Sequence, residues 1–131
     1  MPKCIRVRDY MSARVITFAP DMEILEAVHI LVVNRISGAP VLDLRGNLIG
    51  MLSEKDCIKV ALNAAYHNEW GGRVEEFMSR EVKTVDADAS IVDVGQIFVE
   101  MSYRRLPVVE RNRLVGQISR HDILRAMEIL H

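Results

Sequence analysis

The stretch GMLSEKD at residues 50–56 returns as GQISRHD at residues 116–122, so glycine, two residues, serine, two residues and aspartate are written twice. An apolar run follows each copy. Recurrence at fixed spacing is the signature of a repeated supersecondary unit, and here it extends far beyond the motif. Met11 and Ser12 fall on Met78 and Ser79, Thr17 on Thr84, Asp21 on Asp88, Ile24 on Ile91, and Pro40 and Val41 on Pro107 and Val108, all displaced by 67 positions. From Gly50 onto Gly116 the displacement is 66. The missing residue lies where DLRGNL (43–48) becomes ERNRL (110–114), a polar turn between apolar runs, where a change of length costs least. The chain therefore reads as two copies of one unit, 7–63 and 74–130, joined by a linker at 64–73.

Composition limits what such a doubled unit can be. With 131 residues, half of them hydrophobic, the chain can bury one good core, and each copy alone is marginal, which predicts a core shared by both. A formal charge of −1, from 17 basic and 18 acidic residues intermixed along the chain, provides no basic footprint for nucleic acid and no polybasic membrane anchor. The start MPKCIRVRDYM has no apolar signal core and no apolar run reaches membrane-spanning length, so the expectation is a cytoplasmic protein with no membrane partner. Cys4 and Cys57 occupy unrelated places in the repeat, which argues against a disulfide framework or a metal clip and predicts two buried or half-buried thiols.

The same elements are predicted in both copies, giving an α+β fold. Short β-prone segments at 15–18 and 82–85 are each followed by a polar turn whose Asp21 or Asp88 can cap a helix. Those helices are predicted at about 22–34 and 89–102. Ile24, Ala27, Val28 and Leu31 set the core face of the first, and Ile91, Val94, Ile97, Phe98 and Met101 that of the second. Two strands joined by a tight turn come next, APVLDL with LIGML and LPVVE with RLVGQI, apolar enough for burial on both faces. Final helices follow at 54–65 and 120–130. Each repeat reads β-α-β-β-α.

Serine three residues ahead of an acid at the start of an apolar helix is a capping-box pattern: the serine oxygen accepts a backbone N–H, and the acid favours the positive helix end. The glycine would let a strand turn sharply into the helix. Capping does not require aspartate, however, because glutamate is the commoner partner in the box. A short carboxylate used twice, at Asp56 and Asp122, points to a further task.

The order V-x-T, helix, ISGAPV (36–41) or YRRLPV (103–108), then G-x-x-S-x-x-D, in tandem, resembles a pair of cystathionine β-synthase (CBS) domains, a Bateman module, over nearly the whole chain. The resemblance implies two β-α-β-β-α repeats packed about a pseudo-twofold axis, with clefts that bind adenosine-containing ligands such as AMP, ADP or ATP. It implies that the motif aspartate accepts hydrogen bonds from the ribose hydroxyls, with the hydroxyl residue near the first phosphate. A carboxylate beside a helix N-terminus suits that role, because it offers two acceptor oxygens to a vicinal diol where an anion is favoured.

Carried over residue by residue, the resemblance implies that each cleft mixes the repeats. One combines Val15, Thr17, Ile36 and Gly38 with Ser119, His121 and Asp122; the other combines Val82, Thr84, Tyr103 and Arg105 with Ser53, Lys55 and Asp56. Ile36 and Tyr103 would flank the adenine, although each reads equally as a strand residue facing the core. Thr17 and Thr84 read equally as plain β-formers. Arg104 and Arg105 are adjacent, so at least one guanidinium is expected to face a cleft, and Arg105 with Lys55 would supply charge for a phosphate chain. Gly38 stands where the other cleft has Arg105, a departure that weakens the case for phosphate there.

Three function classes follow. An enzyme would need a nucleophile and base, yet G-x-x-S is not the G-x-S-x-G elbow and no phosphate loop ending in Lys-Ser/Thr occurs. His29 in a helical pattern, His67 in the linker and His131 at the terminus form no metal spacing, so neither catalytic nor metal residues are expected. A ligand-free dimerisation module is the second class. The third, and the reading adopted, is a stand-alone regulatory module that binds an adenine nucleotide and signals its occupancy to a partner; S-adenosylmethionine or a dinucleotide remains an alternative ligand. A homodimer is expected through the final helices, on the apolar residues Ile58, Leu62, Ile123, Met127 and Leu130.

Overall fold

A computed structural model describes residues 4–68 and 71–130, so Glu69 and Trp70 of the expected linker, and His131, lie outside the described residues. The chain divides into two compact units, one formed by Ile16–Val82 and the other by the described residues up to Val15 together with those from Lys83 onward. The fold class is α+β.

In the Ile16–Val82 unit, α1 (Ile24–Asn34) precedes the hairpin β1 (Gly38–Leu42) and β2 (Leu48–Ser53), then α2 (Glu54–His67) and the short α3 (Val74–Phe77). In the other unit a 3-10 turn at Val7–Asp9 joins β3 (Val85–Asp86), α4 (Ile91–Glu100), the hairpin β4 (Arg105–Glu110) and β5 (Arg113–Ser119), and α5 (Arg120–Leu130). The segment expected as a strand at 15–18 is reduced to one parallel bridge, Phe18 to Val41, whose repeat counterpart is the parallel pairing of Val85 with Val108. His67 closes α2 rather than lying in a linker.

Apolar spacing explains the helices. Ile24, Ala27 and Leu31 of α1 and Ile91, Val94 and Phe98 of α4 are buried at three- and four-residue intervals. Met101 falls beyond α4 and is exposed, because the helix ends before a further turn can bring it round to the core. Asp21 and Asp88 do not cap these helices. The N-cap residues are Glu23, whose side chain makes no cap bond, and Ser90, whose Oγ accepts from the Val92 amide. Asp88 instead receives the Arg8 guanidinium. In the hairpins three consecutive residues are buried in β1 (Ala39, Pro40, Val41) and in β4 (Leu106, Pro107, Val108), as burial on both faces requires. The one-residue difference between the repeats sits in the hairpin turns. Asp43 Oδ1 accepts from the amides of Arg45 and Asn47 in the longer turn, whereas Arg111 and Asn112 form a two-residue turn with both φ values positive.

The leading segment of each repeat packs on the body of the other. Val7 and Arg8 donate from their amides to the carbonyls of Ala89 and Ala87, and Ile91 donates to Ile5; the counterparts are Val74 to Met22, Glu75 to Pro20 and Ile24 to Gly72. Ser12 pairs with Gln117, and Ser79 with Met51. Two core clusters result instead of the single shared core expected from composition. Fully buried Val7 joins Val85, Ile91, Leu106 and Ile118, while Val74 and Met78 join Phe18, Ile24, Val41 and Leu52. Each such valine contributes about 1.5–3 kcal/mol of burial, and the borrowed segment is what completes an otherwise small core.

This exchange also accounts for the motif glycines. Gly50 and Gly116 lie inside β2 and β5, not at a strand-to-helix turn, and neither has a positive φ. A Cβ on Gly116 would stand 2.5 Å from the Ser12 carbonyl oxygen and 2.9 Å from Met11 Sδ. On Gly50 it would stand 2.5 Å from Met78 Sδ and 2.9 Å from the Ser79 carbonyl oxygen. Glycine is needed so that the exchanged backbone can close on the strand.

Candidate functional site

Strands β2 and β5 each end in the serine that caps the next helix, and the two boxes are built alike. The Asp56 amide donates to Ser53 Oγ at 3.1 Å, while the Ser53 amide and Oγ donate to Asp56 Oδ2 at 3.0 and 2.9 Å. The Asp122 amide donates to Ser119 Oγ at 3.2 Å, and the Ser119 amide and Oγ donate to Asp122 Oδ2 at 2.9 and 3.0 Å. Aspartate in place of glutamate keeps the carboxylate tight against the turn. One oxygen is consumed by the box and the other, Oδ1, takes no part in it.

The strands bring the remaining candidates alongside. Gly38 is the register partner of Ser53, and the Glu54 amide donates to the Ser37 carbonyl at 2.8 Å, so Ile36 and Gly38 flank the Asp56 box. Arg105 is the register partner of Ser119. The Arg120 amide donates to the Arg104 carbonyl at 3.0 Å, and its Nε donates to the Tyr103 carbonyl at 2.8 Å, which fixes Tyr103 and Arg105 beside the Asp122 box. Thr17, Ile36, Gly38, Ser53, Lys55, Asp56 and Val82 thus belong to one unit, and Val15, Thr84, Tyr103, Arg105, Ser119, His121 and Asp122 to the other.

Ile36 and Tyr103 are loop residues rather than strand residues. Ile36 is half-buried against the core of its unit, whereas Tyr103 is exposed. Thr17 and Thr84 are half-buried outside any strand, and Lys55, Arg104, Arg105 and His121 are exposed. Among the described residues neither Arg104, Arg105 nor Lys55 makes an ion pair. Their charge is free to meet a ligand.

The two boxes differ at Oδ1. Among the described residues every hydrogen bond to the Asp56 carboxylate falls on Oδ2, but Asp122 Oδ1 accepts from the Arg125 guanidinium at 3.0 Å. Arg125 in turn lies over the Tyr10 ring, 5.3 Å from its centroid. The charge pair at i and i+3 was legible in the sequence. Tyr10 was not, because it arrives on the exchanged segment.

Cys57, next to Asp56, is buried, and burial pushes its thiol up, with the Asp56 and Glu54 charges adding to the effect. It stays protonated at neutral pH and is a poor nucleophile. Cys4 is exposed, not half-buried as expected, because it precedes the first residue anchored in the core. Among the described residues no three His, Cys, Asp or Glu side chains gather as a metal site.

The arrangement is that of a known family. The CBS domain matches residues 7–63 and again residues 74–129. The chain belongs to the CBS domain family. The CBS domain-containing protein YhcV of Bacillus subtilis is 32% identical over 118 residues, covering 89% of this chain and 81% of that protein. Uncharacterized protein MJ1225 of Methanocaldococcus jannaschii is 31% identical over 92% of this chain, but the chain spans only 42% of its length. CBS domains also occur within enzymes, since the chain aligns with 21% of the inosine-5'-monophosphate dehydrogenase of the same organism. Among solved structures, CBSX2 of Arabidopsis thaliana in complex with AMP superposes with a TM-score of 0.80 at 25% identity, covering 96% of this chain and 98% of that one. The CBS domain pair of MJ0100, in complex with 5'-methylthioadenosine and S-adenosyl-L-methionine, superposes with a TM-score of 0.74 at 29% identity and the same two coverages.

Proposed function

We propose that this CBS pair is a regulatory module that binds an adenine nucleotide (AMP, ADP or ATP) through the carboxylates of Asp56 and Asp122 and signals its occupancy to a partner protein. The observation that carries the reading is the shape of the Ser53 and Asp56 box: it uses Oδ2 alone and leaves a carboxylate oxygen beside a helix N-terminus, half-buried and available to a vicinal diol. The adenosine ligands of the similar CBSX2 and MJ0100 structures support the choice of ligand class.

Ser53 and Lys55 would serve the Asp56 carboxylate, and Ser119 and His121 would serve Asp122. The exposed side chains of Lys55 and Arg105 carry charge that favours a phosphate chain. Bound ligand would stabilise one conformation of the chain, and differential affinity for that conformation is the only source of signal. No helix among the described residues is long and apolar enough to cross a membrane, and the proposed location is the cytoplasm.

Association through α2 and α5 is part of the proposal. Ile58 and Leu62 of α2 are exposed as expected, but Ile123 is buried and Met127 packs against the core of its own unit. Leu124 and Ile129 are the large apolar side chains of α5 that are exposed instead. The deciding test is isothermal calorimetry with adenosine, AMP, ADP, ATP and S-adenosylmethionine. Heat from nucleotides that is lost in Asp56→Ala with Asp122→Ala supports the reading. No heat from any of them refutes it and leaves a ligand-free dimerisation module.

A further inference from the structure

We propose that Arg125 is a gate on the Asp122 site, so that the two carboxylates of this chain are not equivalent: the Asp56 site is open and the Asp122 site is held closed by its own helix. The inference rests on the reading of both carboxylates as ribose acceptors.

The two boxes match bond for bond at Oδ2, which makes the difference at Oδ1 informative. A diol that approaches Asp122 meets an oxygen already occupied by the Arg125 guanidinium, 3.0 Å away. The pair spans one helical turn, with the Asp122 side chain only 17% exposed and that of Arg125 about half exposed. Tyr10 holds the guanidinium from its other face at 5.3 Å. The repeat counterparts are Lys59 and Phe77, and Lys59 lies beyond ion-pair distance of Asp56. A lysine ammonium lacks the planar fork that lets Arg125 engage a carboxylate and a ring at once. Ligand at Asp122 must therefore displace Arg125, whereas ligand at Asp56 displaces nothing.

The test uses adenosine, which is uncharged, so that attraction of Arg125 for a phosphate does not enter. In an Asp56→Ala background only the Asp122 site titrates. There Arg125→Ala is expected to tighten adenosine about three- to tenfold, the combined scale of an exposed ion pair and a cation–π contact. Raising salt should also tighten adenosine at this site while Arg125 is present, and should have no effect once it is removed. In an Asp122→Ala background Arg125→Ala should leave adenosine affinity at the Asp56 site unchanged. Arg125 is exposed, and a urea titration of each variant shows that folding is retained. Adenosine binding that is unaltered or weakened by Arg125→Ala overturns the gate while leaving the adenosine reading intact. Loss of AMP affinity with unchanged adenosine affinity overturns it too, and makes Arg125 a phosphate contact. No adenosine binding in any variant, the parent chain included, removes the adenosine reading and the gate together.

Discussion

The carbonyl oxygen of Ser12 lies so close to Gly116 that a methyl group on that glycine would sit 2.5 Å from it, more than 100 positions away along the chain. The nearest atom at the equivalent Gly50 is Met78 Sδ, the flexible end of a side chain, with the Ser79 carbonyl next at 2.9 Å. Both Gly116→Ala and Gly50→Ala should therefore destabilise, by about 1–3 kcal/mol, with Gly116→Ala the costlier because its backbone contact is the closer of the two. Urea unfolding of the two variants measures the order, and equal or negligible costs would remove the close-approach explanation.

Asp56→Ala should abolish ligand at one site and cost about 1 kcal/mol of stability through the lost cap, with Asp122→Ala doing the same at the other. The affinity lost is larger, about 1.5–3 kcal/mol for each charged hydrogen bond removed. Calorimetry and unfolding on the same samples separate the two effects. Loss of stability with undiminished nucleotide binding would leave the boxes a purely structural role.

Arg105→Ala should weaken AMP by about 1.5–3 kcal/mol and adenosine hardly at all, since the guanidinium is exposed, makes no ion pair among the described residues, and has phosphate as its expected contact. The AMP affinity of the parent protein should fall with salt. Equal losses for adenosine and AMP would assign Arg105 to the base or ribose.

The protein should run at twice its 14.9 kDa chain mass at micromolar concentration. Leu62→Glu and Leu124→Glu place charge on exposed faces of α2 and α5 without touching either core, and each should return the particle to the chain mass. Multi-angle light scattering reads this directly. A monomeric parent protein rules the interface out.

The Arg8 guanidinium, donating from Nε to Asp88 Oδ1 at 2.8 Å and also engaging Glu110, holds the Asp88 carboxyl below its ordinary 3.8. A depressed native value stabilises the fold above the unfolded value, and that contribution is lost as pH falls through the native one. The stability difference between the parent protein and Asp88→Asn should thus be constant at neutral pH and shrink below about pH 4. Both partners are about half exposed, so the difference should be small and should fade in high salt. A difference that grew on acidification would reverse the sign and exclude the pair as its cause.

The β-α-β-β-α order, the two hairpins, the helix faces and both Ser-Asp boxes were legible in the residues themselves. Those features are local: apolar periodicity, a turn composition and a serine three positions from an acid act over a few residues, and the doubling of each signal makes it readable. Their ends were less so. The strand expected at 15–18 contracts to Phe18, which among the described residues bridges only to Val41, whereas its counterpart Val85 continues into a second pair, Asp86 with Val109.

Tertiary structure alone decided which body each leading segment joins. Val7 and Val74 are the same residue, as are Met11 and Met78, and apolar burial has no direction, so their hydrophobicity does not distinguish packing on the same repeat from packing on the other. The exchange selects the second, and with it the glycines at 50 and 116, the two separate cores and the position of Tyr10 over Arg125. The sequence determined that two carboxylates stand at two helix starts. Packing determined that among the described residues Asp122 has both oxygens engaged while Asp56 has Oδ2 alone, because the side chain on Asp122 Oδ1 lies over a ring from the far end of the chain.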